Sequence, residues 1–322
     1  MKAVNIANSQ RVTMSAMLPY LIALRPRHWV KNLIIFAAPL FAFKINPGTV
    51  LASLFTFVIF CLASSGFYLI NDLVDLESDR QHPSKRLRPI ASGVISAPAA
   101  LGMAMTIWGI VLICSWAQSR GVAAVVVSYG LLQVAYNIRL KRMVILDVMA
   151  IATGFVLRAF AGAVATGIML SPWFLLCLAL LALFLAVEKR KAELLVLQST
   201  AIENRGVGYR YPISLLARME NIVATGAIVT YAIWSSGPQV TGASTPWMLF
   251  TLPFVLYGIF RYQLLSVPKE VAHDKHSGQE AGGDAERPEE IFLRDVPTLV
   301  TVLSWLLVTF TILLLKHRGY IN

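Results

Sequence analysis

Apolar runs follow one another along the whole of this chain, at residues 29–45, 49–71, 97–117, 121–138, 144–167, 171–188, 212–236, 246–265 and 296–315. Each is close to the roughly 20 residues that a helix needs to cross a bilayer. The pattern predicts an all-α, polytopic membrane bundle of about nine transmembrane helices. Links such as 117–121 and 167–172 are so short that the helices they join must pack antiparallel. Of the 322 residues 57% are hydrophobic and 14% charged, against roughly 45–50% and 25% in soluble domains. Little is left for a second domain, so residues 1–322 are expected to form one membrane-embedded unit. Its polar parts are a tail at 1–17 and a loop at 266–294, rich in Gly, Glu, Asp, Lys and His and without apolar periodicity. A loop of that composition is expected to be mobile, and its end at Pro288–Asp295 either folds back or leads into the last helix.

The net charge of +11 is informative through its placement. Most of the 28 Lys and Arg fall before the first run and after the second, fourth, sixth and eighth, whereas the opposite side holds Lys44, Arg120, Lys316 and Arg318. The positive-inside rule then puts the N-terminus and those links in the cytoplasm. Nucleic acid is not an expected partner; the lipid bilayer is. All 17 acidic residues also fall on the cytoplasmic side in this arrangement. Orientation does not require that, and acid and base together at one face imply a polar site there. The first 17 residues lack the apolar core of a secretory signal. Cys61, Cys114 and Cys177 stand singly in apolar runs without ligand spacing and read as packing. None of the five His shows a zinc-ligand spacing.

The second run ends in Asn71-Asp-Leu-Val-Asp-Leu-Glu-Ser-Asp79. If the helix continues, Asp72, Asp75 and Asp79 share one face. Such a row repels itself unless cations neutralise it, and Mg²⁺ fits, since it takes hard oxygen ligands from one or two carboxylates plus substrate phosphates. Next comes Lys85-Arg-Leu-Arg-Pro-Ile-Ala-Ser-Gly93, whose Lys85 and Arg88 suit phosphate oxygens, Arg as a bidentate fork. The competing reading of these basic residues is a solvated loop obeying the positive-inside rule.

This motif pair resembles the first signature of the UbiA-type intramembrane prenyltransferases. Within that superfamily the chain is similar to the decaprenyl-phosphate phosphoribosyltransferases through Arg25-Pro-Arg-His-Trp-Val-Lys-Asn32, Tyr136-Asn-Ile-Arg-Leu-Lys141 with Asp147, Leu157-Arg-Ala-Phe-Ala-Gly162, Glu188-Lys-Arg-Lys-Ala-Glu193 and the Pro-Glu-Glu segment before the last run. The resemblance implies a UbiA-like bundle in a bacterial inner membrane, with a cytoplasmic site and homo-oligomers as an option. It implies Mg²⁺-dependent transfer of 5-phosphoribose from phosphoribosyl diphosphate (PRPP) to decaprenyl or another polyprenyl phosphate, for cell-envelope glycan precursors. Asn71, Asp72, Asp75 and Asp79 would hold metal, with Asp72, Asp75 and Arg158 catalytic. Lys31, Lys85, Arg88, Tyr136, Lys141, Asp147, Glu188, Lys189, Arg190 and Glu193 would bind substrate. Aromatic prenyltransferases of the superfamily carry a second aspartate-rich motif where this chain has Glu188–Glu193. Three cations among two carboxylates suit phosphate better than a second metal cluster.

Asp147, Gly154 and Arg158 fall near one face of the fifth run, by the 3.6-residue period. A cation inside an apolar span is a functional candidate by default; the alternative is a structural or carbonyl-capping Arg. Asp147 is open between holding Lys141, binding ribose hydroxyls and completing the metal site. Trp29, Lys31 and Asn32 are either interfacial anchors or substrate contacts. Two other functions compete: an aromatic polyprenyltransferase, and a transporter or lipid-binding protein whose acidic row binds a cation without chemistry. The latter lacks the inverted repeat and broken midplane helices of transporters.

Overall fold

The computed structural model describes residues 18–82, 85–200, 211–237, 243, 245–266 and 295–321, with the side chains of 196–200 excepted. The N-terminal tail and nearly all of the 266–294 loop, including its Pro-Glu-Glu segment, lie outside the described residues. The helices in chain order are α1 (Ala37–Phe41), α2 (Pro47–Val74), α3 (Leu76–Gln81), α4 (Ala97–Gln118), α5 (Arg120–Ile138), α6 (Leu146–Thr166), α7 (Pro172–Thr200), α8 (Ile213–Ser236), α9 (Leu252–Ser266) and α10 (Val296–His317). No strand occurs among the described residues.

Local chemistry sets the helix starts. Asn46 caps α2 by accepting from Thr49 N–H at 3.0 Å while its own N–H donates to Thr49 Oγ1 at 3.1 Å, a reciprocal cap with Pro47 at the first helical position. Ser119 alone separates α4 from α5 and accepts from Val122 N–H at 3.1 Å, so the two helices reverse direction at one residue. Asp295 caps α10 through Thr298 N–H at 2.9 Å. Gly167, at φ 65°, ends α6 in the left-handed region that favours glycine.

Eight of the described helices are long and apolar enough to cross a membrane, the 3₁₀ turn Pro246–Thr251 continuing into α9 as one of them. The ninth expected helix, at 29–45, is not a regular one. Pro26–Phe36 winds as a 3₁₀ helix before the short α1. Pro39 has no N–H to give the Ile35 carbonyl four residues back, and that carbonyl instead lies over Gly162 of α6. A Cβ at residue 162 would come within 1.9 Å of Ile35 O, so glycine there lets the two backbones touch. At about 2 Å rise per 3₁₀ residue and 1.5 Å per α residue, the composite still spans roughly the 30 Å of a bilayer core.

A second difference concerns α7. The expected boundary at 188 is passed, and the helix runs through Glu188–Glu193 to Thr200. Ala, Leu, Glu, Lys and Arg are strong helix formers, so polarity ended the apolar run without ending the helix. A third is the break after Val74: Asp75 sits at φ −94° and ψ 9°, between α2 and α3. The three aspartates therefore do not lie along one continuous helix.

Candidate functional site

The break at Asp75 turns the acidic residues toward different cations. Asp72 and Asp79 are both buried, and both reach the same nitrogen: Arg88 Nη1 donates to Asp79 Oδ2 at 2.5 Å and to Asp72 Oδ1 at 3.1 Å. Arg25 Nη2 also donates to Asp72 Oδ1. Asp75, a third exposed, instead accepts from Lys141 Nζ at 2.7 Å. Asn71 is half-buried beside this group, and its carbonyl accepts from Asp75 N–H at 2.9 Å.

Arg25 has no assigned role in the sequence beyond its place in the Arg25–Asn32 stretch. It takes a left-handed backbone, φ 52° and ψ 59°, uncommon for a residue with a side chain. Two attachments hold it. Ser65 Oγ donates to Leu24 O at 2.8 Å and accepts from Trp29 Nε1 at 3.0 Å, sewing both flanks of Arg25 to α2. Its guanidinium carbon lies 5.0 Å from the centre of the Tyr68 ring. Trp29 is thus an internal tie. Lys31 Nζ stands 3.4 Å from His28 Nδ1, and the His28 ring packs on Tyr68 at 5.2 Å.

The loop carrying Arg88 is pinned by buried Ile90, Ala91 and Ile95, with Gly93 supplying a φ of 81°. Lys85 is exposed at its start. His82 accepts from Lys85 N–H at 3.4 Å. Burial, then the Lys85 charge, holds its imidazole below the usual histidine range, so it is neutral at neutral pH and serves the turn.

A second group forms where α6 begins. Asp147 is fully buried and accepts from Arg190 Nε at 2.8 Å and from the Tyr211 hydroxyl at 2.5 Å. Arg190 Nη1 also donates to Glu193 at 2.6 Å, and Tyr136 lies against the same guanidinium. Tyr211 OH in turn accepts from Ile145 N–H at 2.5 Å, fixing Ile145 at φ 74°. Burial, then the bond to Asp147, holds the Tyr211 hydroxyl above the ordinary tyrosine range, so it stays a donor. Asp147 takes Arg190 and Tyr211 as its partners, and Lys141 goes to Asp75.

The Glu188–Glu193 stretch divides. Lys189 stays near the surface, 4.0 Å from Glu193. Glu188 is wholly buried and turned from Asp147: Lys191 stands 3.9 Å from it and donates to Glu220 at 2.6 Å, and Gln263 donates to Glu220 at 2.8 Å. Neither Glu188 oxygen has a hydrogen bond among the described residues. Glu188, expected to bind substrate, is therefore an interior residue, because in a continuous helix residues two apart face apart. Glu220 and Tyr211 had no signal in the sequence; their partners sit on other helices. Arg158 stands apart from both groups, bonded to Asn32, Gly154 and Tyr129.

Among the described residues no three His, Cys, Asp or Glu side chains converge as a preformed metal cage. Asp72 and Asp79 nonetheless aim at one point, where Arg88 Nη1 now sits. Two buried carboxylates converging on one cation match the donor set that Mg²⁺ takes beside phosphates; Asp75 is not brought to that point.

A model of the UbiA prenyltransferase family matches residues 32–277. The decaprenyl-phosphate phosphoribosyltransferase of Corynebacterium glutamicum is 37% identical over 291 residues, covering 88% of this chain and 83% of its own. The protein of the same name from Mycolicibacterium smegmatis is 37% identical over 289 residues, covering 88% and 89%. A solved UbiA homolog from Archaeoglobus fulgidus, bound to GPP and Mg²⁺, has a TM-score of 0.64 over 91% of this chain and 98% of its own at 16% identity, a likeness of fold.

Proposed function

The chain is a multi-pass membrane protein that belongs to the UbiA prenyltransferase family, and from that premise we propose that it transfers 5-phosphoribose from PRPP to decaprenyl phosphate or another polyprenyl phosphate. The observation that carries this reading is the charge balance at the site. Asp72, Asp75 and Asp79 are matched by Arg25, Arg88 and Lys141, so these six side chains together are close to neutral. A divalent cation offsets part of the charge of an anionic polyphosphate, and the rest falls to the cations that the carboxylates release on taking up the metal. Arg25 and Arg88 then turn from carboxylate to phosphate oxygens, a partner that the guanidinium fork fits equally well. A phosphoribosyl donor carries phosphate at both ends, and we assign the second phosphate to Arg190 and Lys189, which pair with Asp147 and Glu193.

Asp72 and Asp79, with Asn71 beside them, would hold Mg²⁺, which when bound stabilises charge on departing diphosphate. The acceptor's phosphate oxygen, anionic at neutral pH, attacks the anomeric carbon. The bond from that carbon to diphosphate breaks, and its electron pair leaves with diphosphate. No proton has to be removed, so no general base is needed. The buried carboxylates face the positive charge that develops on the ribose ring. Orientation follows from charge: the site faces the cytoplasm across a bacterial inner membrane.

The test is purified protein with Mg²⁺ and labelled PRPP, offered decaprenyl phosphate or, separately, a prenyl diphosphate with 4-hydroxybenzoate. Label entering the lipid fraction with decaprenyl phosphate is the expected result. A prenylated aromatic from the second pair, with no labelled lipid from the first, would overturn it.

A further inference from the structure

Arg158 is a charged side chain inside the bundle that takes no part in the donor site and, unlike Glu188, Lys191 and Glu220, has no partner of opposite charge among the described residues. Arg158 lies in α6, inside a membrane-crossing span, and is 6% exposed. Its Nε donates to Asn32 Oδ1 at 2.7 Å, Nη1 to Gly154 O at 2.7 Å and Nη2 to Tyr129 OH at 2.9 Å. The guanidinium carbon lies 4.9 Å from the Tyr129 ring centre and 5.5 Å from that of Phe155. Every one of these partners is neutral. Arg25, Arg88 and Arg190 each pair with a carboxylate; Arg158 has none among the described residues. A buried cation in an apolar span is costly, and ring contacts offset only part of that cost.

Three of the five N–H groups of a guanidinium are used here, which leaves one on Nη1 and one on Nη2. Residue 154 is glycine, and a Cβ there would come to 3.2 Å from Nη1, so glycine lets the guanidinium lie directly on the backbone of α6. The side chain reaches back to Gly154, so its charge sits roughly 12 Å along α6 from the charged end. A polar path joins the two levels. Asp72 bonds Arg25, Arg25 lies over Tyr68, Tyr68 neighbours Tyr129, and Tyr129 bonds Arg158. Beyond Asp72 the path contains no carboxylate.

We propose that Arg158 seats the phosphate monoester of the acceptor lipid, with Asn32, Tyr129 and Gly154 fixing its plane so that the two remaining N–H groups meet the phosphate oxygens. The isoprenoid chain then runs into the bilayer-facing side of the bundle. The identity of the ligand rests on the phosphoribosyl-transfer reading; the need for an anion at Arg158 does not.

The experiment uses the full chain in nanodiscs without donor and measures binding of labelled farnesyl phosphate, with farnesol and ribose 5-phosphate as competitors. Two variants accompany it. Arg158→Gln removes the charge, and Asn32→Asp supplies the missing carboxylate while keeping the Nε bond. We expect both variants to weaken farnesyl phosphate binding about tenfold or more, or about 1.4 kcal/mol, with Asn32→Asp melting at or above the wild-type temperature. Neither farnesol nor ribose 5-phosphate should compete. Wild-type affinity in a folded Asn32→Asp protein would overturn the proposal, showing Arg158 to be a structural tie. Full competition by ribose 5-phosphate would overturn it by making this a donor seat, and full competition by farnesol by removing the phosphate from recognition. If farnesyl phosphate binds through Arg158 but no label passes from PRPP to lipid, the seat stands and the donor assignment alone fails.

Discussion

The two charged stretches of this chain, Asn71–Asp79 and Glu188–Glu193, differ in charge and in backbone: the first carries four carboxylates and no cation, the second three cations between two carboxylates. The first is broken at Asp75, and the break lets residues that a straight helix would align find separate partners: Asp72 and Asp79 on Arg88, Asp75 on Lys141. The second stays helical throughout, so the helix period deals its residues to two faces. Arg190 bridges Asp147 and Glu193, while Glu188 and Lys191 turn inward to Glu220. A local backbone break thus gives neighbouring carboxylates different cations within one site, and unbroken helix divides its charges between a site and a core.

The sharpest way to break this comparison is at its first member. Asp72→Asn should lower phosphoribosyl transfer by about a thousandfold, the scale seen when a group stabilising transition-state charge is removed. Asp75→Asn should cost distinctly less, because Asp75 is a third exposed and serves Lys141. Equal losses would mean that the aspartates act as one set after all. Initial rates of label transfer, with each variant's yield in the membrane fraction, decide between the two.

For the second member the expected effect is on stability. Lys191→Met strands Glu188 and Glu220 together in the interior, and breaking a buried pair costs roughly 3–5 kcal/mol. Glu188→Gln removes a buried carboxylate that lies beside Glu220 and should leave both melting temperature and donor KM within about twofold or a few degrees of wild type. A large rise in donor KM for Glu188→Gln would return Glu188 to the substrate site and undo the division of the helix.

How much of this was legible beforehand follows from what spacing can encode. Apolar run lengths placed eight crossing helices close to their positions, and the aspartates at the end of the second run pointed to the candidate site. The 3₁₀ winding of Pro26–Phe36 has no signal in the apolar pattern, which records how long a run is and not how tightly it winds. The end of α7 was misplaced because Glu188–Glu193 looks like a link by polarity and a helix by propensity. Arg25, Tyr211 and Glu220 were invisible as site or core partners, since their contacts lie on other elements 47, 64 and 29 residues away along the chain. Sequence periodicity locates faces of one helix; it carries no information on which faces of different helices meet.

The smallest effect tests the join between the two stretches, where Asp147 holds Arg190 in place. Tyr211→Phe removes one hydroxyl that donates to Asp147 and accepts from Ile145 N–H. The ring and its packing remain, so the loss is that of the bonds, about 1–2 kcal/mol in unfolding free energy. Arg190 keeps its bidentate reach to Asp147 and Glu193, and kcat should change little while donor KM rises by about threefold. The pH dependence supplies the check on cause. The hydroxyl is held above the ordinary tyrosine range by burial and by Asp147, so its contribution is fully present below the unfolded value of about 10 and is lost only as pH rises through the folded one. The stability difference between wild type and Tyr211→Phe should therefore be the same at pH 7 and pH 9. A difference that vanishes by pH 9 would show that Tyr211 ionises in the folded protein, and that Asp147 is held by Arg190 alone.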